Sequence, residues 1–365
     1  MPQKPKATTA PLEASKPAPA RTAAIHEEKK VNLALQGGGS HGAFTWGMLD
    51  RFLQEPRLGY DGVCGTSAGA MNAAVAAQGM VTGGRDGARA ALETFWMRIS
   101  EFAYFSPFQR SLLDKALGNW NLDDSPTVHV VEAFQRMLSP YQFNPLNNDP
   151  LRAVLASTIN DETLRRCDVV KLFISATDVH TGRIRVFSGA DLSLDALLAS
   201  ACLPMLFQAV EIDGVPYWDG GYMGNPAIFP LIYGCDSPDV AIVQINPLVR
   251  IGTPKTISAI LDRLNEITFN SSLIQEMRAI AFVQKLIESE SLVGPESQRL
   301  KRMHIHWISA EADIAALGVT TKMNVERAFL LYLRDIGRAA ADLWLEANFD
   351  AIGVTSSIDV QKHFL

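Results

Sequence analysis

Within residues 31–77 the chain runs twice from a short apolar segment, through a glycine-rich turn, into a stretch of helical periodicity. Val31-Asn32-Leu33-Ala34-Leu35 alternates only weakly, as a buried strand does. Gly37-Gly38-Gly39-Ser40-His41-Gly42 then turns the chain, and Ala43, Phe44, Trp46, Met48, Leu49, Phe52 and Leu53 recur at helical spacing. Gly62-Val63-Cys64, Gly65-Thr66-Ser67-Ala68-Gly69 and a small-residue helix over 70–77 repeat the pattern. Two strand–turn–helix units in succession imply a parallel sheet with helices on its faces.

Later segments extend this sheet. Strands are predicted at 171–176 and, after the turn His180-Thr181-Gly182, at 184–187. Segments 210–212 and 215–218 flank Asp213-Gly214, a strong hairpin signal, and 240–245 is another apolar strand. From Ile257 the pattern changes: Ile257, Ile260, Leu261, Leu264, Ile267, Ile274, Met277, Ile280 and Leu286 fit one face of a long helix, kinked near Asn270. A late strand at 304–308 and one or two helices over 324–349, stopped by Gly353, complete the chain. Residues 1–30 are rich in Pro, Ala, Thr and Lys, lack the apolar core of a secretory signal, and are expected to form a disordered tail. A catalytic core is expected at 31–250, with C-terminal helices and a late strand packed on it at 251–365. Phe102, Tyr104, Phe105, Phe108 and Trp120 gather in the less regular 100–150 stretch, read as packing of a long insertion, with a cap over the site as the alternative.

Composition narrows the function. The 365-residue chain is 47% apolar and carries a formal charge of −6 without a basic stripe, which argues against a nucleic-acid partner. No run approaches the roughly eighteen clean apolar residues of a membrane span. The longest candidate, 196–210, is broken by Ser200 and Pro204. A cytoplasmic protein, peripheral at membranes at most, is the expectation, and nothing specifies its oligomeric state. The four cysteines show neither C-x-x-C nor zinc-ligand spacing and read as small buried residues, so no metal is expected.

Chemistry concentrates at the two turns. Gly65-Thr66-Ser67-Ala68-Gly69 is a G-x-S-x-G pentapeptide between strand and helix, the context a nucleophile elbow requires. The competing reading is a structural serine in a tight turn. Gly37-Gly38-Gly39 offers successive backbone N–H groups at a helix start, able to hold an oxyanion or a phosphate. Gly37, Gly39 and Gly42 also satisfy the dinucleotide pattern G-x-G-x-x-G, with Asp61 roughly twenty residues on. Asp61, however, precedes the second short strand instead of ending it, and the Lys-Ser/Thr pair of a P-loop is missing. A nucleophilic serine needs a base. His180, His304, His306 and His363 follow Ser67, but none lies in a glycine-bounded loop. Asp219-Gly220-Gly221 follows a hairpin strand and can bend its carboxylate toward a neighbour; a plain Asp-Gly turn is the rival reading.

Taken together, four blocks resemble the patatin-like phospholipases. They are Gly37–Gly42, Gly65–Gly69, Ala199-Ser200-Ala201-Cys202-Leu203-Pro204, and Asp219-Gly220-Gly221 followed by Asn225-Pro226, in that order. The resemblance spans about residues 31–245. It implies a three-layer α/β/α fold with a mostly parallel central sheet, and hydrolysis of lipid acyl esters by a Ser67–Asp219 dyad without histidine and without a cofactor. It also implies an oxyanion hole from Gly37, Gly38, Gly39 and Ala68, with Gly42, Gly65, Gly69, Gly220 and Gly221 as supporting motif positions. An acyltransferase using the same dyad is the alternative, and a non-catalytic lipid- or dinucleotide-binding module the third reading. In one respect the chain departs from the pattern. His41 stands where the family usually carries Arg or Lys, which argues against a fixed positive charge there and brings neutral esters into view.

Overall fold

The structure, a computed structural model, describes residues 28–104, 106, 108–122, 125, 127–130, 137–289 and 300–364. The expected tail up to residue 27, and Phe105, lie outside the described residues. Eight strands form one sheet: β1 (Lys29–Leu35), β2 (Leu58–Gly65), β3 (Lys171–Asp178), β4 (Ile184–Ser188), β5 (Val210–Ile212), β6 (Val215–Asp219), β7 (Asp239–Val243) and β8 (His304–Ile308). Their order is β5-β6-β3-β2-β1-β7-β8, with β4 also on β3. Strands β3, β2, β1, β7 and β8 are parallel to their neighbours in that run, while β4, β5 and β6 pair antiparallel. Strand β1 starts two residues earlier than its apolar pattern suggests, because Lys29 and Lys30 continue the ladder opposite Leu58 and Gly59.

The principal helices are α1 (Gly42–Leu53), α2 (Ala68–Glu101), α3 (Leu194–Ser200), α4 (Ile257–Glu288) and α5 (Arg327–Asn348). Side chains alternate across a strand, so β1 feeds two cores. Val31, Leu33 and Leu35 enter one built with α1, α2, α3 and α5. Ala34 enters the other, with Val240, Ile242, Ile305 and the α4 residues Leu273, Met277 and Ile280. That is the expected three-layer α/β/α arrangement.

Two helices depart from the sequence reading, and a third decides between its alternatives. Helix α2 extends well past the small-residue run, across a break at Gly83–Gly84, because Ala88, Leu92, Phe95 and Trp96 keep supplying a buried face. Residues 327–348 form a single helix. Helix α4 is continuous through Asn270, whose amide donates to the Pro247 carbonyl at 3.1 Å. Its apolar face divides: Leu273, Met277 and Ile280 are buried, whereas Ile257, Ile260, Leu261, Leu264 and Ile267 are exposed. No described helix is long and apolar enough to cross a membrane.

One packing feature bears on the site. Gly47 of α1 faces the Arg334 carbonyl and Gly337 of α5 faces the Phe44 carbonyl, so closely that a methyl group at either would overlap backbone. The C-terminal helix is thereby seated directly on the helix that follows the glycine turn.

Candidate active site

Strand β3 acts as the ruler of the site. Strand β4 occupies one edge of it from Phe173 to Thr177, which leaves β2 and β6 to share the other. On that shared edge Gly65, the last residue of β2, pairs with Ile174, and Asp219, the last residue of β6, pairs with Ala176. A residue just past Gly65 therefore arrives beside Asp219, although 152 positions separate Ser67 and Asp219 in sequence (219 − 67).

Ser67 makes the turn. Its backbone lies at φ 53°, ψ −123°, a conformation that costs a side-chain-bearing residue on the order of 1–3 kcal/mol. Thr66 and Ala68 on either side are buried, while Ser67 itself is only half-buried. The elbow thus offers one hydroxyl outward. Helix α2 begins at the next residue, so its positive end is directed at the same spot.

The Ser67 side chain lies close enough to the Asp219 carboxylate to act on its pKa. Asp219 is 2% exposed. Burial raises its pKa to about 7, against the opposing pull of the Gly221 N–H, 2.7 Å from Oδ1, and of the Ser67 hydroxyl. A carboxylate of that basicity is poised to exchange a proton with a neighbour near neutrality. Among the described residues no imidazole hydrogen-bonds either group: His306 is held by Asp239 and His41 by Thr321.

The glycine turn lies against the elbow. A Cβ on Gly37 would come within 2.7 Å of Ser67 Cβ, so only glycine permits this approach. The Gly37 N–H donates to Asn225 Oδ1 at 2.7 Å, and its carbonyl accepts from Asn246 Nδ2 at 2.7 Å. Gly37, expected among the oxyanion donors, therefore has its amide engaged; it serves as the anchor of the turn. The Gly38, Gly39 and Ala68 amides have no acceptor among the described residues. Exposure rises along the turn from buried Gly37 to exposed Gly39, whose φ of 58° turns the chain outward. Gly42, Gly65, Gly69, Gly220 and Gly221 all sit where an added Cβ would press on neighbours: Ala68, Gly69, Leu35, Ser175 and Phe269 respectively. These five are close-packing positions.

Several positioning residues had no role assigned from sequence. Ser200 Oγ accepts the Ser67 N–H at 2.9 Å, and the Cys202 carbonyl accepts the Asp219 N–H at 2.8 Å. One short segment thus holds the backbones of both Ser67 and Asp219. Its A-S-x-x-x-P pattern marks the segment but not these contacts. Thr177 and Thr66 hydroxyls fix the Asp219 and Gly224 carbonyls, at 2.8 and 2.7 Å. Buried Gln36 accepts the backbone amides of Ile245 and Asn246 and donates to the Asn225 carbonyl.

His41 is buried, and burial together with nearby Lys322 and Arg250 lowers its pKa to about 3, so the ring is neutral. Asp61, the acid of the dinucleotide reading, lies within β2 and not before it, since the strand already begins at Leu58; it accepts the Ser237 N–H at 2.9 Å with Lys171 Nζ at 3.2 Å. It is engaged as a structural group there. Among the described residues no three His, Cys, Asp or Glu side chains are grouped to hold a metal ion. A cavity of about 590 Å³ is lined in part by Arg250, Thr253, Arg263, Glu266 and Val319; neither Ser67 nor Asp219 lines it.

A family model described as patatin-like phospholipase matches residues 33–232, more than half of the chain. No curated protein matches it. Among solved structures it is similar to VipD from Legionella pneumophila, at 16% identity and a TM-score of 0.39, over 88% of this chain and 67% of that one. It is also similar to the heterodimeric ExoU–SpcU complex from the type III secretion system of Pseudomonas aeruginosa, at 17% identity and a TM-score of 0.31, over 90% of this chain and 77% of that one.

Proposed function

Since the chain belongs to the patatin-like phospholipase family, we propose that it is a lipid acyl hydrolase that cleaves carboxylic esters through Ser67 and Asp219. One observation carries the reading: a serine on a strained strand-to-helix turn lies near enough to a buried carboxylate to act on its pKa, which burial raises to about 7.

The chemistry follows from these positions. Asp219 accepts the proton of Ser67 Oγ as that oxygen attacks the ester carbonyl. The carbonyl oxygen becomes negative and is met by the Gly38, Gly39 and Ala68 amides, each such donor contributing about 3 kcal/mol in acyl-transfer enzymes. Collapse of the tetrahedral intermediate breaks the ester C–O bond. The departing alcohol takes the proton from Asp219, leaving the acyl group on Ser67. Water then gives its proton to Asp219 and attacks the acyl carbon. The Ser67 oxygen leaves with that proton, and the carboxylic acid is released. Burial of Asp219 makes it basic enough for this cycle, a role an exposed aspartate with a pKa near 4 would fill poorly.

Turnover of a short-chain aryl ester by Ser67→Ala and Asp219→Asn tests the reading. Both variants are expected to lose at least about a thousandfold in kcat, and Ser67→Ala to lose labelling by a fluorophosphonate. Near-normal turnover by either rejects the dyad.

A further inference from the structure

The glycine turn is braced from a part of the chain remote in sequence. Segment Val319–Met323 packs on it: the Lys322 carbonyl lies against Gly39, and Thr321 Oγ1 is 2.7 Å from His41 Nε2. The Lys322 ammonium donates to Asn246 Oδ1 at 2.7 Å. The same Asn246 oxygen is a neighbour of Gly38, and Asn246 Nδ2 donates to the Gly37 carbonyl. A continuous polar chain thus runs from the ammonium through Asn246 to the turn that presents the Gly38 and Gly39 amides. Resting on the reading above, we propose that Lys322 is a positioning residue of the hydrolase, orienting the glycine turn through Asn246 and placing the positive charge that favours the oxyanion.

The surroundings fit a cation kept for this purpose. Lys322 forms no salt bridge among the described residues. Glu266 is itself 1% exposed and already bound by Arg250 and Arg263. The charged and titratable groups around the ammonium are Glu266 and Asp262 of α4, Arg250 after β7, Arg263, and the neutral His41. Burial, with Arg250 adding to it and Glu266 opposing, lowers the Lys322 pKa to about 8. A charge so little compensated acts at longer range than a surface lysine does. Its loss above pH 8 gives activity an alkaline limb.

Full-length wild type, Lys322→Met and Lys322→Arg are compared on a soluble aryl ester from pH 6 to pH 10. Lys322→Met is expected to lose about 10- to 100-fold in kcat with KM within about threefold, and to lose the limb near pH 8. Lys322→Arg should recover most of that loss, with its alkaline limb displaced above pH 10, since guanidinium keeps its charge. If Lys322→Met keeps both kcat and the limb near pH 8, or if Lys322→Arg is as impaired as Lys322→Met, the proposal falls. Should Lys322→Met fail to fold, the position of the Lys322→Arg limb decides alone. Ser67→Ala separates the two ideas: turnover surviving in it ends the hydrolase reading, whereas turnover lost there and unchanged in Lys322→Met ends only the inference about Lys322.

Discussion

Two buried aspartates sit at opposite ends of one sheet and meet opposite fates. Asp219 closes β6 beside the carboxyl ends of β2 and β3, and Asp239 opens β7 at the amino end of the parallel strands. Both are almost fully buried, at 2% and 1% exposure. Asp239 accepts from His306 Nε2 at 2.8 Å and the Gly353 N–H at 2.9 Å, with His304 Nδ1 at 3.3 Å. Burial would raise its pKa, but these contacts more than offset it and hold the carboxyl below its usual range. Asp219 receives one backbone N–H, that of Gly221, with the Ser67 side chain nearby, and burial holds its pKa near 7. Burial by itself therefore does not make a base; burial with too few donors does. The carboxyl end of an open α/β sheet is where ligands generally bind, and here it is the end with the carboxylate whose pKa is raised.

The comparison breaks most sharply under mutation. Asp219→Asn should cost at least about a thousandfold in kcat while leaving the fold as stable as before or more so, because it neutralises a poorly compensated buried charge. Asp239→Ala should do the reverse, sparing kcat and destabilising by about 3 kcal/mol, the scale for breaking a buried pair. Urea melts and ester turnover of the two variants check this; parallel losses in both would erase the distinction.

Acidity gives a second contrast. The kcat/KM of the free protein should rise with pH through about 7, where Asp219 becomes the base, and not near 4. In stability the signs oppose. Asp219 has a folded pKa above its unfolded 3.8, so its contribution is full below about 4 and declines as pH rises toward 7. Glu276, raised to about 7 by burial, adds the same slope. Asp239 is depressed, so its contribution is present above 3.8 and lost as pH falls below it. Melts of Asp219→Asn against wild type between pH 4 and 7 should show a shallower slope in the variant.

Ser200 tests how finely the reactive end is held. Removing its hydroxyl in Ser200→Ala frees the Ser67 amide and should reduce kcat about tenfold, with about 1 kcal/mol lost in stability. An unaltered kcat would leave Ser200 a packing residue.

How much of this could be read beforehand follows from where the contacts lie along the chain. The Ser67 turn and the glycine turn are contiguous, and each is shaped by its own glycines, so residues near in sequence betray them; Asp219-Gly220-Gly221 reads locally as a plain turn as well, and only the order of all four blocks singled it out. The sheet was legible for the same reason, since apolar runs bounded by turns are local. The clamp on Gly37 was not: Asn225 is marked as a motif position but not as its partner, and Asn246 is an ordinary polar residue, until the loop after β6 and the end of β7 bring them to the turn. Lys322 is more remote still. The Asp239–His306 pair illustrates the same limit, because two alternating histidines in a strand announce a shared face but not the carboxylate they meet on the next strand. Helix α4 misled for a different reason: periodicity reports which residues share a face, and half of that face is exposed.

The smallest expected effect concerns strain. Positive φ occurs at Ser67 (53°) and at Asp213 (52°). Asp213 occupies an exposed hairpin turn, where aspartate tolerates the left-handed region. Ser67 carries its ψ of −123° outside that region, in territory that favours glycine. Glycine would relieve strain at both positions but would also add freedom to the unfolded chain, a cost of about 0.5–1 kcal/mol. The two effects nearly cancel at Asp213, so Asp213→Gly should be neutral or slightly destabilising. At Ser67 the relief is larger, and Ser67→Gly should raise stability by about 1 kcal/mol while abolishing turnover. Paired urea melts measure the difference; a Ser67→Gly protein less stable than wild type would mean that the elbow holds its shape without stored strain, leaving the reactive carboxylate alone to set the two ends of the sheet apart.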